Sequence, residues 1–403
     1  MKILITNHAL NRRAGTELYV RDLAIGLKTK GYHPVCFSPE LGDVANEIEQ
    51  SGIEVTDDLG TIKSPDIIHA HHHAPSAMAF MAFPQTPAVS VCHGVLPWQE
   101  APLAKFSNVR RYVAVDEACR DFLVKNHNIP ENRISVVLNG VDLTRFSCSG
   151  TASESVARRK KALVFSNIAS PADLHPFRQA CSEFGLTLDL AGAAGRTLDR
   201  PEQDLAEYGL VFSKARAAIE AMAMGCAVIL ADYGRTGPLV TTKNYNALRP
   251  LNFGFRTLQD PSNPRTIAAN IAELDWSDAA SVSRHVRKSA AFSDVVESWI
   301  EIYEGLAGAS PIHGDDSQAV ASSAYIRSIL PQLTERDDLA SRYYLEVRNR
   351  IDRDREIAGL IVSSINDAAQ TPELLRLARQ LDPENEVLKQ WMSDQAGLPA
   401  RKN

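Results

Sequence analysis

The alternation of short apolar runs with amphipathic stretches is the feature that most constrains this chain. KILIT (2–6) is apolar almost throughout and reads as a strand buried on both faces. ELYVRDLAIGLKTKG follows with helical spacing: Leu18, Leu23, Ala24 and Leu27 share a face, and Gly31 ends it. HPVCFSP, IEVTDD, DIIHAHH, PAVSVCHG, RRYVAVD and ISVVLNGVD read as further strands. DVANEIEQSG and EACRDFLVKNHNI read as helices between them. This βαβα rhythm predicts a doubly wound parallel sheet over 1–150. Residues 147–160, SCSGTASESVARRK, are small, polar and charged, and read as a linker. The rhythm then restarts. KALVFSNI, LTLDLAG, EYGLVFS and CAVILAD are strands, DLHPFRQACSEFG and ARAAIEAMAMG are helices, and two more helices close the unit at 308. ASPIHGDDSQAVASS (309–323) reads as a second linker, and 324–403 as a helical extension in three stretches, suited to oligomerisation or to docking a partner. The expected class is α/β, with two tandem Rossmann-like domains, 1–150 and 160–308, facing a cleft.

Bulk properties narrow the partners. A chain of 403 residues with 44% hydrophobic content suits two cores and an appendage. A net charge of −6 gives no basic stripe for nucleic acid. The six cysteines are scattered with no CxxC pair, which indicates neither zinc nor a disulfide framework and fits a reducing cytoplasm. MKILITNHAL reads as a strand rather than a signal peptide. No run approaches the roughly 20 apolar residues of a membrane span, while peripheral membrane contact stays open.

Ligands of open α/β sheets bind beyond the carboxyl ends of the strands, so the loops there are the candidates. RRAGTELYV places Gly15 between the first strand and helix. There a glycine lets backbone approach a donor phosphate or an acceptor, and the plain alternative is an ordinary loop with Thr16 as N-cap. In DIIHAHHHAP, alternation puts His69, His71 and His73 on one face. No nearby residue completes a metal site, so a polar strand end lining the cleft is the simpler reading. His93, in VSVCHGVLPW, is either a satisfied core histidine or a catalytic group that bonds a sugar hydroxyl or stabilises developing charge. Asn139-Gly140 reads as a structural turn.

FSKARAAIEAMAMG (212–225) carries the sharpest signal. Lys214 and Arg216 stand at a helix N-terminus, where cations oppose the helix dipole unless an anion lies between them and the amides. Glu220, one turn on, either pairs with Arg216 at i,i+4 or accepts hydrogen bonds from a ribose diol. ADYGRTGPLV, with Gly237, reads as a glycine-rich loop after the next strand.

AGTELYVRDLAIGLKTKGY, PDIIHAHHH, VCHG, YVAVDEACRDFLVKNHNIPENRISVVLNGVDLTRF and IEAMAMGCAVILAD together resemble the retaining glycosyltransferases of family 4, which have the GT-B fold. The resemblance covers about residues 1–308. It implies an acceptor site in the first domain, a nucleotide-sugar donor site in the second, retention of anomeric configuration, and no metal or other cofactor. Glu220 matches the family glutamate that binds the nucleotide ribose. His93 matches a histidine near the donor sugar, and Gly15 a glycine near the donor phosphates.

Two departures stand out. The family's first glutamate, eight residues before Glu220, is Phe212 here, and the strand-to-helix connection looks shortened. The usual Arg and Lys after the first strand of the second domain are missing from FSNIASPADLHPF. Lys214 and Arg216 are the expected substitutes for those charges, and Gly237 is a further expected donor-binding residue. The expected activity is transfer of a sugar from a nucleotide diphosphate sugar to a glycan, a lipid-linked acceptor or a small molecule. The alternatives are a nucleotide-sugar epimerase of the same fold and a non-catalytic partner protein.

Overall fold

Continuous apolar strands need cover on both faces, and helices supply it in each half of the chain. The computed structural model describes residues 1–95, 98–147, 156–166, 171–192, 195, 196, 198, 200–232, 234–307, 316–364, 371–383 and 385. The first half runs β1 (Lys2–Thr6), α1 (Gly15–Thr29), β2 (His33–Phe37), α2 (Asp43–Gln50), β3 (Glu54–Thr56), β4 (Ile67–His71), α3 (His73–Ala82), β5 (Ala88–Cys92), β6 (Val109–Ala114), α4 (Glu117–His127) and β7 (Ile134–Val136). Its seven strands lie in the order β3-β2-β1-β4-β5-β6-β7, every pair parallel.

The second half runs β8 (Lys161–Phe165), α5 (His175–Glu183), β9 (Thr187–Ala191), α6 (Pro201–Asp204), β10 (Leu210–Ser213), α7 (Ala215–Ala223), β11 (Ala227–Asp232), β12 (Arg235–Leu239), α8 (Tyr245–Leu248), β13 (Asp260–Pro261), α9 (Pro264–Ala272), α10 (Trp276–Ser289) and α11 (Phe292–Ala307). The sheet order is β13-β12-β11-β10-β8-β9. Strands β8 to β11 pair in parallel, while β12 and β13 are antiparallel. Two Rossmann-like sheets in tandem are therefore present, as the alternation predicts.

Local chemistry explains the element ends. Gly31, at φ 87°, follows the last residue of the α1 cap. Asp116 caps α4 by accepting from the Cys119 amide at 2.7 Å, and left-handed Asn128 closes it.

Helix α11 returns from the second sheet to the first. Trp299 and Tyr303 are fully buried there, and the Trp299 indole donates to the Tyr19 hydroxyl at 2.7 Å. A Cβ on Gly26 of α1 would stand 2.6 Å from the Val296 side chain, so glycine admits the close helix contact. The segment between the sheets is also held: Val141 donates to Ala290 O at 2.8 Å and accepts from Phe292 N at 2.9 Å. Asn139-Gly140 is structural, since a Cβ on Gly140 would lie 2.8 Å from Val295.

Several expectations need correction. The glycine-rich loop is a hairpin edge: Gly237 lies buried in β12, and a Cβ there would meet Thr257 O at 2.5 Å. Close packing alone accounts for a glycine there. The first linker ends early, because Arg158 is buried and donates to Tyr208 O at 2.6 Å and Met224 O at 2.7 Å. The second linker holds the start of α12 (Asp316–Ser364), where the Gln318 amide donates to Phe80 O at 3.2 Å. Pro331 does not end that helix. One missing amide costs a single turn's bond, and helix continues on both sides. Residues 148–155 and 309–315 of the two linkers lie outside the described residues.

By contacts the chain divides into Met1–Ser322 and Ser323–Asn403. In the second unit α13 (Thr371–Leu381) packs on α12 through Ala358, Leu375 and Ala378, a small core flanked by Ile361 and Val362.

Asn252 is the polar fastener of the first unit. It sits at φ 48° and is 1% exposed. Its Oδ1 accepts from the Asn139 amide at 3.1 Å and from Arg249 Nη1 at 2.7 Å, while Nδ2 donates to Val115 O. Asn252→Ala would orphan these groups and place a Cβ residue without a local partner at left-handed φ. We expect a loss of about 2–3 kcal/mol in urea unfolding. A loss below about 0.5 kcal/mol would show that the fastener carries no weight.

Candidate functional site

Parallel pairing of β4 with β5 sets His71 beside Val91, two residues before His93. The His71 and His93 rings stack, with centroids 4.6 Å apart and planes 14° apart. Alternation places His69 on the same face as His71, one pleat back. These rings join end to end. His93 Nε2 lies 2.6 Å from His71 Nδ1, His71 Nε2 lies 2.6 Å from His69 Nε2, and His69 Nδ1 lies 2.6 Å from the Tyr303 hydroxyl. His69 and His71 have no exposed surface. Burial pushes all three pKa values down, His93 to about 3, with the neighbouring rings adding to the effect. They stay neutral.

His73 does not join this row. The strand ends at His71, His72 turns at φ 58°, and His73 begins α3, so the expected shared face of three histidines holds for two. His72 Nδ1 accepts from the His8 amide at 3.2 Å, and its Nε2 lies 3.6 Å from Glu100 Oε1. Glu100 Oε2 accepts from the His93 amide at 2.8 Å, which fixes the turn after β5. Burial raises the Glu100 pKa to about 7 against the pull of the backbone amides of His93 and Gly94. Among the described residues no group of three or more His, Cys, Asp or Glu is arranged to hold a metal.

Across the cleft, β10 passes directly into α7 through Lys214, and Ala215 takes φ 51° while donating to Phe253 O at 2.9 Å. That short connection accounts for Phe212. The residue is fully buried in β10, 5.0 Å ring to ring from Phe177, and belongs to the core rather than the cleft. Arg216 pairs with Glu220 at 2.8 Å and with Asp22 of α1. The i,i+4 pair is therefore formed, and it extends into the first domain. Burial works against the Arg216 charge, but Asp22 and Glu220 outweigh it and raise its pKa. Asp22 likewise overcomes burial, held low by Arg216 and Arg21. Arg216 Nη1 is buried and has no hydrogen-bond partner among the described residues. Lys214 lies 3.3 Å from Asp232, whose other oxygen accepts from Ser166 at 2.7 Å.

One face of α1 joins the two sides. Tyr19 packs edge-on to His93 at 5.0 Å, and Asp22, one turn later, reaches Arg216. Gly15 begins the same helix, and nothing stands within 4 Å of a Cβ added to it. Ala14 is the N-cap, with no side-chain cap bond, so the Thr16 cap is not formed. Gly15, His93, Arg216 and Glu220 are thus tied to one cleft through α1; Gly237 is not. The sequence reading missed Tyr19, Asp22, Glu100 and Tyr303. Nothing local marks Asp22 or Tyr303, since α1 also carries Glu17, Arg21 and Lys28. A groove of about 580 Å³ opens beside Asp22, lined also by Glu47, Asp142 and Phe292 but by none of the histidines. The side-chain network, not that groove, defines the candidate site.

Residues 59–145 match the family model described as Glycosyltransferase Family 4. Among solved structures the chain is similar to a glycosyltransferase from Rickettsia africae, at 16% identity over 77% of this chain and 99% of that one, with a TM-score of 0.59. It is similar to Anabaena HepE in complex with UDP-glucose, at 17% identity over 76% and 100%, TM-score 0.56. Sucrose-phosphate synthase from Thermosynechococcus elongatus follows at 13% over 77% and 100%, TM-score 0.55. No curated protein sequence matches significantly. The fold is GT-B. The resemblance to family 4 is met by the family model over the segment holding His69, His71, His93 and Glu100, in a chain of divergent sequence.

The buried neutral imidazoles make stability depend on pH. His72 and His73, at about 4, and His93, at about 3, lie below the ordinary 6.5, with His69 and His71 lower in the same sense. Between those values and 6.5 the unfolded chain binds more protons, so stability rises with pH by up to about 1.4 kcal/mol per unit for each imidazole held neutral. Glu100, raised from 4.5 to about 7, acts oppositely and offsets one imidazole. Urea midpoints should therefore be higher at pH 7 than at pH 5. A flat or inverted profile would mean that the histidines are not held neutral.

Proposed function

We propose that the chain is a glycosyltransferase that moves a sugar from a nucleoside diphosphate sugar to an acceptor, with retention and without a metal. The observation that carries the reading is the α1 face on which Tyr19 meets His93 and Asp22 meets Arg216. It brings the histidine of the first domain and the Arg216–Glu220 pair of the second to a single cleft, at the strand ends where α/β sheets bind ligands. The UDP and UDP-glucose held by Anabaena HepE support this donor class.

The roles follow from the chemistry of each group. Glu220 uses its carboxylate for the ribose diol. Arg216 turns Nη1 to the diphosphate, since a buried guanidinium donor without a partner is costly until an anion meets it. Lys214 adds charge at the start of α7. Together they stabilise negative charge on the leaving diphosphate. His93, neutral, bonds the donor sugar as a dipole rather than as a cation. Gly15 leaves room for the phosphates or the acceptor at the uncapped N-terminus of α1. Retention leaves no protein nucleophile to name. The acceptor, a glycan, a lipid-linked sugar or a small molecule, binds the first domain. The protein works in the cytoplasm, and 324–403 serves oligomerisation or docking.

UDP and UDP-glucose should raise the unfolding free energy by about 2.7 kcal/mol at a hundredfold excess over the dissociation constant. Glu220→Ala, and Lys214→Ala with Arg216→Ala, should abolish that gain. Full donor affinity in the double variant would overturn the anion role. No stabilisation by any nucleoside diphosphate would favour a non-catalytic partner protein, and conversion of UDP-glucose without an acceptor would favour an epimerase.

A further inference from the structure

We propose that Tyr303, His69 and His71 are positioning residues that fix the tautomer of His93, so that His93 meets the donor sugar as a neutral Nδ1–H hydrogen-bond donor. The inference deepens the reading above and rests on it for the ligand alone.

The argument is a count of protons. The Tyr303 hydroxyl and three neutral imidazoles carry four between them. The row has three links: Tyr303 to His69, His69 to His71, and His71 to His93. Each link takes one proton, and the fourth must lie at an end. At the Tyr303 end it would be a hydroxyl proton on a fully buried side chain, with no second partner among the described residues. Buried donors are rarely left that way. At the other end, His93 Nδ1 has no partner among the described residues, and His93 keeps some exposed surface. The fourth proton therefore belongs on His93 Nδ1.

The remaining bonds then have one polarity. Tyr303 Oη–H donates to His69 Nδ1, His69 Nε2–H donates to His71 Nε2, and His71 Nδ1–H donates to His93 Nε2. The row needs the rings to be uncharged, which their burial favours. It also needs a hydroxyl at 303, which arrives on α11 from beyond the second sheet. His93 thus depends for its chemistry on a residue far away in sequence. A donor-sugar oxygen that accepts a hydrogen bond, such as a hydroxyl, is the partner it is set to meet.

The test reads tautomers directly from ring-nitrogen resonances of the full chain labelled with ¹⁵N-histidine at pH 7, with His93→Asn identifying the His93 signals. The expected pattern is Nδ1–H for His93 and His71 and Nε2–H for His69. Tyr303→Phe should shift the His93 signals toward an average of the two tautomers. It should also weaken UDP-glucose about fivefold, the worth of one neutral hydrogen bond, and leave UDP unchanged. A wild-type His93 carrying its proton on Nε2, or on both nitrogens, overturns the proposal whether or not the Phe variant folds. So does an unchanged His93 pattern in a folded Tyr303→Phe protein. The spectrum needs no ligand, so failure to bind any nucleotide would count against the donor reading and not against the row.

Discussion

Burial of Trp299 and Tyr303 against the first sheet is the contact on which the rest of the first unit depends. Parallel sheets must be covered on both faces, and part of the cover for the first comes from a helix that follows the second. The same contact has a polar side. The indole of Trp299 supplies the Tyr19 hydroxyl, and the phenol of Tyr303 supplies His69. Packing that holds the halves together therefore also orders the histidines at the cleft. Asn252, Arg249 and Asn139 secure the junction elsewhere.

Much of the fold could be read from periodicity, because buried parallel strands announce themselves as apolar runs in a fixed rhythm with helices. What escaped was non-local. The edge strands β12 and β13 are short and turn on glycine and proline, so RTGPL reads as loop until its partners are known. Arg158 and Gln318 look like linker residues because burial of a polar side chain is decided by carbonyls that lie far away in the chain. The site divided along the same line. His93 and Glu220 carry their meaning in adjacent residues. Tyr303 matters only through His69, and Asp22 only through Arg216, pairings that no local spacing encodes.

Phe212 illustrates how a missing group can mislead. Counting eight residues back from Glu220 lands on a strand position, and a strand position alternates with its neighbours between core and cover. Its side chain meets Phe177 edge-on inside the sheet cover, away from the cleft. Only Lys214 separates β10 from α7, with Ala215 in the left-handed region, so no loop is present there to carry a first carboxylate.

The charge that remains at the site is arranged differently from a simple cationic cradle. Arg13, Glu47, Arg21, Asp22, Arg216 and Glu220 form one ladder from the loop before α1, through α2 and α1, to α7. Three guanidiniums and three carboxylates balance, so the ladder has no net charge. Such a row is costly to desolvate, and its members are held chiefly by one another. An arriving diphosphate cannot draw on it as it draws on an unpaired lysine. In the proposed donor role it would reach the buried Arg216 Nη1 only as Asp22 gives way. Asp22 would not be stranded, since Arg21 lies 2.6 Å away with a second bond already in place. On the proposed function, the link between the domains and the grip on an anion would compete for the same guanidinium, with Arg21 beside the carboxylate that lets go.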